Sequence, residues 1–348
     1  MKGRGLPPAV DMGQARSITP RAVDLKTLLN IILIIFIIVA GFFGYYYLRK
    51  QAPDFVNASI PVKTSVPPHF LFNFGDRLNQ PGSLNKPLAV DVDDNGRIFV
   101  ADTGNADIKV FNASGRYLYS LDKIKKGPAI QGSAGLAVWQ DRVYVTDGNN
   151  FRVLEYNTKG NFVKTFINKD LGKKVGAFVP AGIAVNQDGD VYITDVFYQR
   201  VLVFDRSGKF KFQFGSPGST SGKFQYANDL AVGKNGNVYV SDSNNSRVQV
   251  FDPKGHFLYL LGSSGTAKAD MALPRGIVAD KNDRIFVVDT FGHKVQVFDA
   301  QDKGNLLFTF GDKGTDNGQF DYPNGIAIKG NRFFITDREN NRISVFSY

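Results

Sequence analysis

One pattern recurs six times along this chain, and its period decides what the chain can build. The segments VADTGNADIKVF, VTDGNNFRVLEY, ITDVFYQRVLVF, VSDSNNSRVQVF, VVDTFGHKVQVF and ITDRENNRISVF carry aspartates at Asp102, Asp147, Asp195, Asp242, Asp289 and Asp337, spaced 45, 48, 47, 47 and 48 residues apart. A unit of that length cannot bury both faces of its own sheet, so the copies must stack on one another. Six copies at this period predict an all-β, six-bladed β-propeller.

Each copy parses as four strands. An inner segment such as GIAV (Gly182 to Val185) turns through DGD- or NGN-type residues into VYIT or VYVS, and the four residues after the aspartate turn into RVLVF. A DRSG or DPKG turn then leads to a last aromatic strand such as KFQFG. The sixth copy stops at Tyr348 after its third strand, while an unmatched strand, Phe70 to Gly75, precedes the first inner strand. That segment is expected to supply the fourth strand of the last blade, closing the ring and removing two open edges.

Composition agrees with an all-β body: 36 Gly, 30 Phe and 14 Tyr, with only two glutamates, Glu155 and Glu339. With no cysteine, disulfides, Cys-zinc sites and thiol nucleophiles are excluded. Three histidines, His69, His256 and His293, make a multi-histidine metal site hard to build. The net charge of +10 comes without a long single-sign block, which argues against a purely electrostatic nucleic-acid binder.

Ahead of the repeats, residues 28–48 run 21 residues without a charge. As a helix they would rise about 31 Å, matching a hydrocarbon core of about 30 Å. The run is too long for a cleaved signal peptide and ends in bulky Tyr45, Tyr46 and Tyr47, so an uncleaved signal anchor is expected. The organisation read from the sequence is a tail (1–27), a single transmembrane anchor (28–48), a Pro-containing stalk (49–68) and the propeller (69–348). Arg16, Arg21 and Lys26 before the anchor balance Arg49, Lys50 and Lys63 after it; Lys2 and Arg4 tip the tie toward an inside tail and an extracytoplasmic propeller at the cell membrane.

Five places after each aspartate stand Asp107, Arg152, Arg200, Arg247, Lys294 and Arg342. These positions face each other across the turn, so the pairs Asp147–Arg152, Asp195–Arg200, Asp242–Arg247, Asp289–Lys294 and Asp337–Arg342 are read as structural. In blade one Asp107 replaces the cation; it is expected to point outward, with a neighbour's arginine or a bound cation as alternatives. Glu155 replaces a valine in blade two and is expected at a solvated edge. Asp91, Asp93, Asn95, Gly96 and Asp102 match parts of a calcium loop, but Ile98 to Val100 read as a strand and DNG as an ordinary hairpin turn.

The segments RGIVADKNDRIFVVDTFGHKVQVFD and NGIAIKGNRFFITDRENNRISVF resemble NHL repeats, and the body from about residue 69 to 348 resembles a six-bladed NHL propeller. The resemblance implies a fold and leaves function open among binding modules, RNA-binding domains and a few lyases. Similar propeller lactonases hold an axial cation with Glu, Asn and Asp, and amidating-lyase relatives use histidines around zinc. Neither glutamate here lies on an inner strand, and only His293 falls on the ligand-facing side. The residues therefore favour a non-catalytic module with no metal and no cofactor. A metal-assisted lyase or lactonase-like hydrolase is the alternative, and an RNA-binding domain the second. Residues 1–67 hold 8 basic and 3 acidic residues, leaving 34 basic and 29 acidic for the propeller, a modest excess that makes nucleic acid a poor partner.

In such a ring the loops entering the inner strands and the turns after the aspartates share one face. Asn228, Asp229, Arg275 and Asn324 break the small-residue pattern of the entering loops, and Tyr198 and His293 lie in the turns. These six are the candidate ligand-facing residues, and the expected partners are the membrane through residues 28–48 and a protein or glycan on the loop face.

Overall fold

The strand patterns follow from radial position in the ring. Second and third strands such as Val191–Asp195 and Arg200–Phe204 are buried almost throughout, because neighbouring blades cover both faces; they accordingly read as continuous apolar runs. The fourth strand, such as Phe210–Phe214, alternates between covered and exposed, because the blades splay apart toward the rim. A computed structural model describes residues 67–121, 127–167, 176–262, 270–301 and 304–348. The expected tail and anchor, with all but the end of the stalk, lie outside the described residues. Among the described residues no helix is long and apolar enough to cross a membrane.

The described strands form six four-stranded antiparallel sheets. Their inner strands are Ala89–Val92, Ser133–Trp139, Pro180–Val185, Ala227–Val232, Pro274–Ala279 and Pro323–Lys329, for blades one to six in turn. Five blades are each built from consecutive strands. In the sixth, the N-terminal strand His69–Phe74 pairs antiparallel with Arg342–Ser347, with His69 opposite Ser347 and Phe74 opposite Ile343. The ring is thus closed by the segment expected to close it. Phe70 packs edge-on against Phe346 at 5.7 Å, and Phe74 lies 4.9 Å from Phe111 of blade one, so the closing strand also seals the next interface.

Among the described residues the apolar interior is divided rather than central. Six apolar clusters lie one between each pair of adjacent blades; that between blades two and three joins Tyr144, Val153 and Phe166 to Ile193, Leu202 and Phe204. Register shifts recur where the third strand meets the fourth, at Val110/Phe111, Val203/Phe204, Val250/Phe251 and Val297/Phe298. A bulge there increases local twist at a constant point in each blade.

Candidate functional site

The repeated aspartates organise one face of the ring. In every blade the aspartate carboxylate accepts a backbone N–H from the loop entering the same blade: Asn85, Gln131, Val179, Gln225, Leu273 and Asp321 donate at 2.6–3.0 Å. Asn105, Asn150, Asn245 and Asn340 add a side-chain amide from the turn. Four of the expected ion pairs form, with the Nε of Arg152, Arg200, Arg247 and Arg342 at 2.7–2.9 Å from Asp147, Asp195, Asp242 and Asp337. The same guanidinium groups donate to loop carbonyls, for example Arg342 to Thr315, Asp316 and Gln319. These arginines lock loops to turns, which is the structural role read for them.

Three positions depart from the sequence reading. In blade five Lys294 sits opposite Asp289 in register but makes no ion pair with it among the described residues; Gln296 instead donates to the carboxylate at 3.2 Å. In blade one Asp107 is buried and does not point outward, and the counter-charge for Asp102 comes from Lys109 of the same blade at 2.6 Å. Glu155 is buried as well, neutralised by Arg142 and by Lys164 at 3.6 Å, because its strand is covered by the neighbouring blade. The calcium-loop match is a hairpin turn: Asp93 accepts from the N–H groups of Asn95 and Arg97 and from Arg97 Nε at 2.7 Å.

The inner strands line an axial channel of about 180 Å³. They approach so closely that a side chain is excluded at several points: a Cβ on Gly182 would lie 2.5 Å from Asp229, and Gly276 and Gly325 face equally close backbone. In blades two, three and six a threonine just before the repeated aspartate secures this approach. Thr146, Thr194 and Thr336 each accept the N–H of their own inner-strand glycine at 2.7–2.8 Å. Each also donates to the next blade, at Ala181, Asn228 and Leu88.

Blades one and four have Ala101 and Ser241 at the threonine position, and here inner-strand carboxylates cross to the next blade. Asp91 accepts from Val92 and, at 2.6 Å, from Val138 of blade two. Asp229 accepts from Leu230 and, at 3.4 Å, from Ile277 of blade five. Both carboxylates line the channel, ringed by protein. Burial raises Asp91 from 3.8 to about 6 and Asp229 from 3.8 to about 7; the backbone N–H bonds oppose this, and the Asp91 charge adds to the rise at Asp229.

Blade five has Val288 at the threonine position, and the bond to blade six runs between side chains at the channel mouth. The Asn324 amide, oriented to satisfy its neighbours, accepts from Arg275 Nη1 at 2.8 Å and donates to Leu88 O at 3.2 Å. Arg275 Nε is buried without a hydrogen-bond partner. Burial lowers the proton affinity of this guanidinium; Tyr226 opposes that and Arg338 adds to it, and no carboxylate contributes. Of the residues singled out in sequence, Asn228, Asp229 and Asn324 line the channel and Arg275 is bonded to Asn324; much of their bonding holds blades together.

Tyr198 and His293 lie in the turns, with different exposure. Tyr198 is exposed and packs edge-on against Phe197 at 4.8 Å with Arg200 over its ring at 4.9 Å. His293 is buried; its Nδ1 accepts from Tyr322 N at 3.2 Å and its ring rests on Tyr322 at 4.8 Å. The sequence reading missed the aromatic character of this face. Among the described residues every exposed aromatic of the large apolar set, Phe151, Phe197, Tyr198, Tyr226 and Phe291, belongs to its turns and entering loops; of the exposed aliphatic residues Leu78 lies in the loop entering blade one, and Leu71, Leu118, Val163 and Leu258 lie on outermost strands. Phe197 and Phe291 stand at the same turn position, two after the aspartate, and no other blade has an aromatic residue there.

The NHL repeat family matches residues 84–111, 224–251 and 320–346, in blades one, four and six. The Drosophila melanogaster protein brain tumor is 32% identical over 149 residues, 41% of this chain and 14% of that protein. The chain therefore spans a small part of that relative's length. Among solved structures, an auxiliary nutrient binding protein from Bacteroides thetaiotaomicron superposes with a TM-score of 0.57 at 15% identity, over 76% of this chain and 69% of that one. A catalytically inactive virginiamycin B lyase from Staphylococcus aureus, with quinupristin, superposes with a TM-score of 0.55 at 16% identity, over 81% and 98%. At these identities the structural likeness is one of fold.

Proposed function

We propose that this chain is a membrane-tethered recognition module, whose propeller binds a protein or glycan partner without covalent chemistry on the face built from entering loops and aspartate turns. Residues 28–48 are its anchor, and the propeller stands outside the cytoplasm. The observation that carries the reading is the segregation of exposed aromatic side chains onto this face, with Phe197 62% and Phe291 58% exposed on turns whose N–H groups, at Phe197 and Gly292, bond to the repeated aspartates. Aromatic rings presented without ordering cost are efficient recognition groups. The channel carboxylates support a non-catalytic reading, since both oxygens of Asp91 and of Asp229 accept backbone N–H bonds.

The test places a photo-crosslinking residue at Phe291 or at Leu258 in the full-length chain, with protease treatment of intact cells to establish the side of the membrane. Crosslinking from Phe291 and not from Leu258 is expected, together with loss of the propeller to external protease. Equal labelling from the rim position, or a protected propeller, overturns the reading. A stoichiometric metal that a chelator removes together with a turnover activity would make the chain an enzyme.

A further inference from the structure

From the state of Arg275 we infer that the partner is a protein that places one carboxylate on this guanidinium at the channel mouth, with apolar side chains on the aromatic arc around it. This rests on the recognition face proposed above and specifies what it takes. The four hairpin arginines each have a carboxylate at 2.7–2.9 Å, whereas Arg275 has an amide on Nη1, an orphaned Nε and no carboxylate partner among the described residues, with the Arg338 charge adding to its unfavourable state. A part-buried cation without a counter-charge is an unfavourable state that a carboxylate would relieve. Arg338 is paired with Glu339 at 3.0 Å, a carboxylate it shares with Lys86 at 3.8 Å, so the nearby acid is already engaged and the partner must bring the carboxylate for Arg275.

The surroundings fit a polypeptide. Tyr226 is on the loop entering blade four, and Phe197 and Phe291 are on the turns of blades three and five to either side of it. Phe291 continues the arc onto Tyr322, 5.8 Å away on the loop entering blade six. Aromatic groups drawn from four blades offer several separate apolar seats beside one cation, which suits an extended segment carrying apolar side chains and one acid.

The test uses a phage-displayed library of random 12-residue peptides selected against the full-length chain. Selected peptides are synthesised with each acid and with its amide, and binding is followed by fluorescence anisotropy. One acid should be required, its amide binding about 10- to 100-fold more weakly. With Arg275→Met the acid and amide forms should bind alike, a loss of discrimination that mere unfolding would not produce; Arg275→Lys should retain part of it. Phe197→Ala and Phe291→Ala, at exposed positions that leave thermal stability unchanged, should weaken both forms. Discrimination that survives Arg275→Met refutes the carboxylate assignment. If the phenylalanine variants still matter in that case, the face stands; if none of the variants matters, the face reading falls with it. A library yielding no binder, or oligouridine binding more tightly than any peptide with a steep salt dependence, also overturns the inference.

Discussion

Replacing Asp229 by Asn should change how stability depends on pH. In the native ring this carboxyl is raised from 3.8 to about 7, chiefly by burial. Between those values the native state keeps a proton that the unfolded chain has released, so raising the pH favours unfolding. The stabilisation is complete below pH 3.8 and is lost as the pH passes through 7. At about 1.36 kcal/mol for each tenfold change in proton affinity, the full effect is about 4 kcal/mol. About 2.6 kcal/mol of this is lost between pH 5 and pH 8, which for a ring of this size is roughly a 5–8 °C fall in melting temperature. Asp91, raised to about 6, adds to the slope at its lower end, and the two are coupled because its charge raises Asp229. Asp205 and Asp252, whose pKa values are lowered by hydrogen bonds, lose protons below this window and leave it undisturbed. Thermal melts at pH 5, 6, 7 and 8 should show wild type falling and Asp229→Asn nearly level above pH 6. Asp91→Asn should retain a slope displaced to lower pH. A wild-type stability that is level or rising from pH 5 to 8, or an unchanged slope in Asp229→Asn, refutes the reasoning.

Three other perturbations test the architecture. Phe74→Ala, in the closing strand and 4.9 Å from Phe111, should cost about 3–4 kcal/mol in denaturant unfolding; a loss below about 1 kcal/mol would mean that the strand does not seal the ring. Thr194→Val removes a hydroxyl that joins Gly182 N to Asn228 O and should cost about 1–3 kcal/mol, whereas Ser241→Ala, at the same position in blade four with an unpartnered Oγ, should be nearly neutral; equal effects would show that the hydroxyl bridges are immaterial. Lys109→Met leaves the Asp102 carboxylate buried without its cation and should cost about 3–5 kcal/mol in denaturant unfolding; a loss below about 1 kcal/mol would show that Lys109 is not its counter-charge.

The blade count, the strand order and the closing segment were legible because a stacked ring forces each copy to meet the same packing problem, so Asp147, Asp195 and their counterparts recur at a nearly constant interval. The hairpin pairs were legible for the same reason, five residues being a local distance that the turn sets. Lys109 was not, because which cation reaches Asp102 depends on side chains packed side by side on one blade face. Asp91 was read only as the front of a partial calcium-loop match, and the Thr146, Thr194 and Thr336 bridges passed unnoticed although the Thr-Asp dipeptide recurs in three copies. Their cross-blade partners lie 34 or more residues away and come within reach only once the sheets surround an axis.

By itself, then, the order of residues determined a closed wheel of six sheets, since periodic apolar strands have few other ways to cover their faces. Only the tertiary structure decided which polar groups are left over. It tied Asp91, Asp229 and Asn324 into the seams between blades and left Arg275 without a carboxylate partner among the described residues. The physical reason is that a bond's existence depends on distances across the axis, and these arise from the curvature of the whole ring, which no single repeat contains.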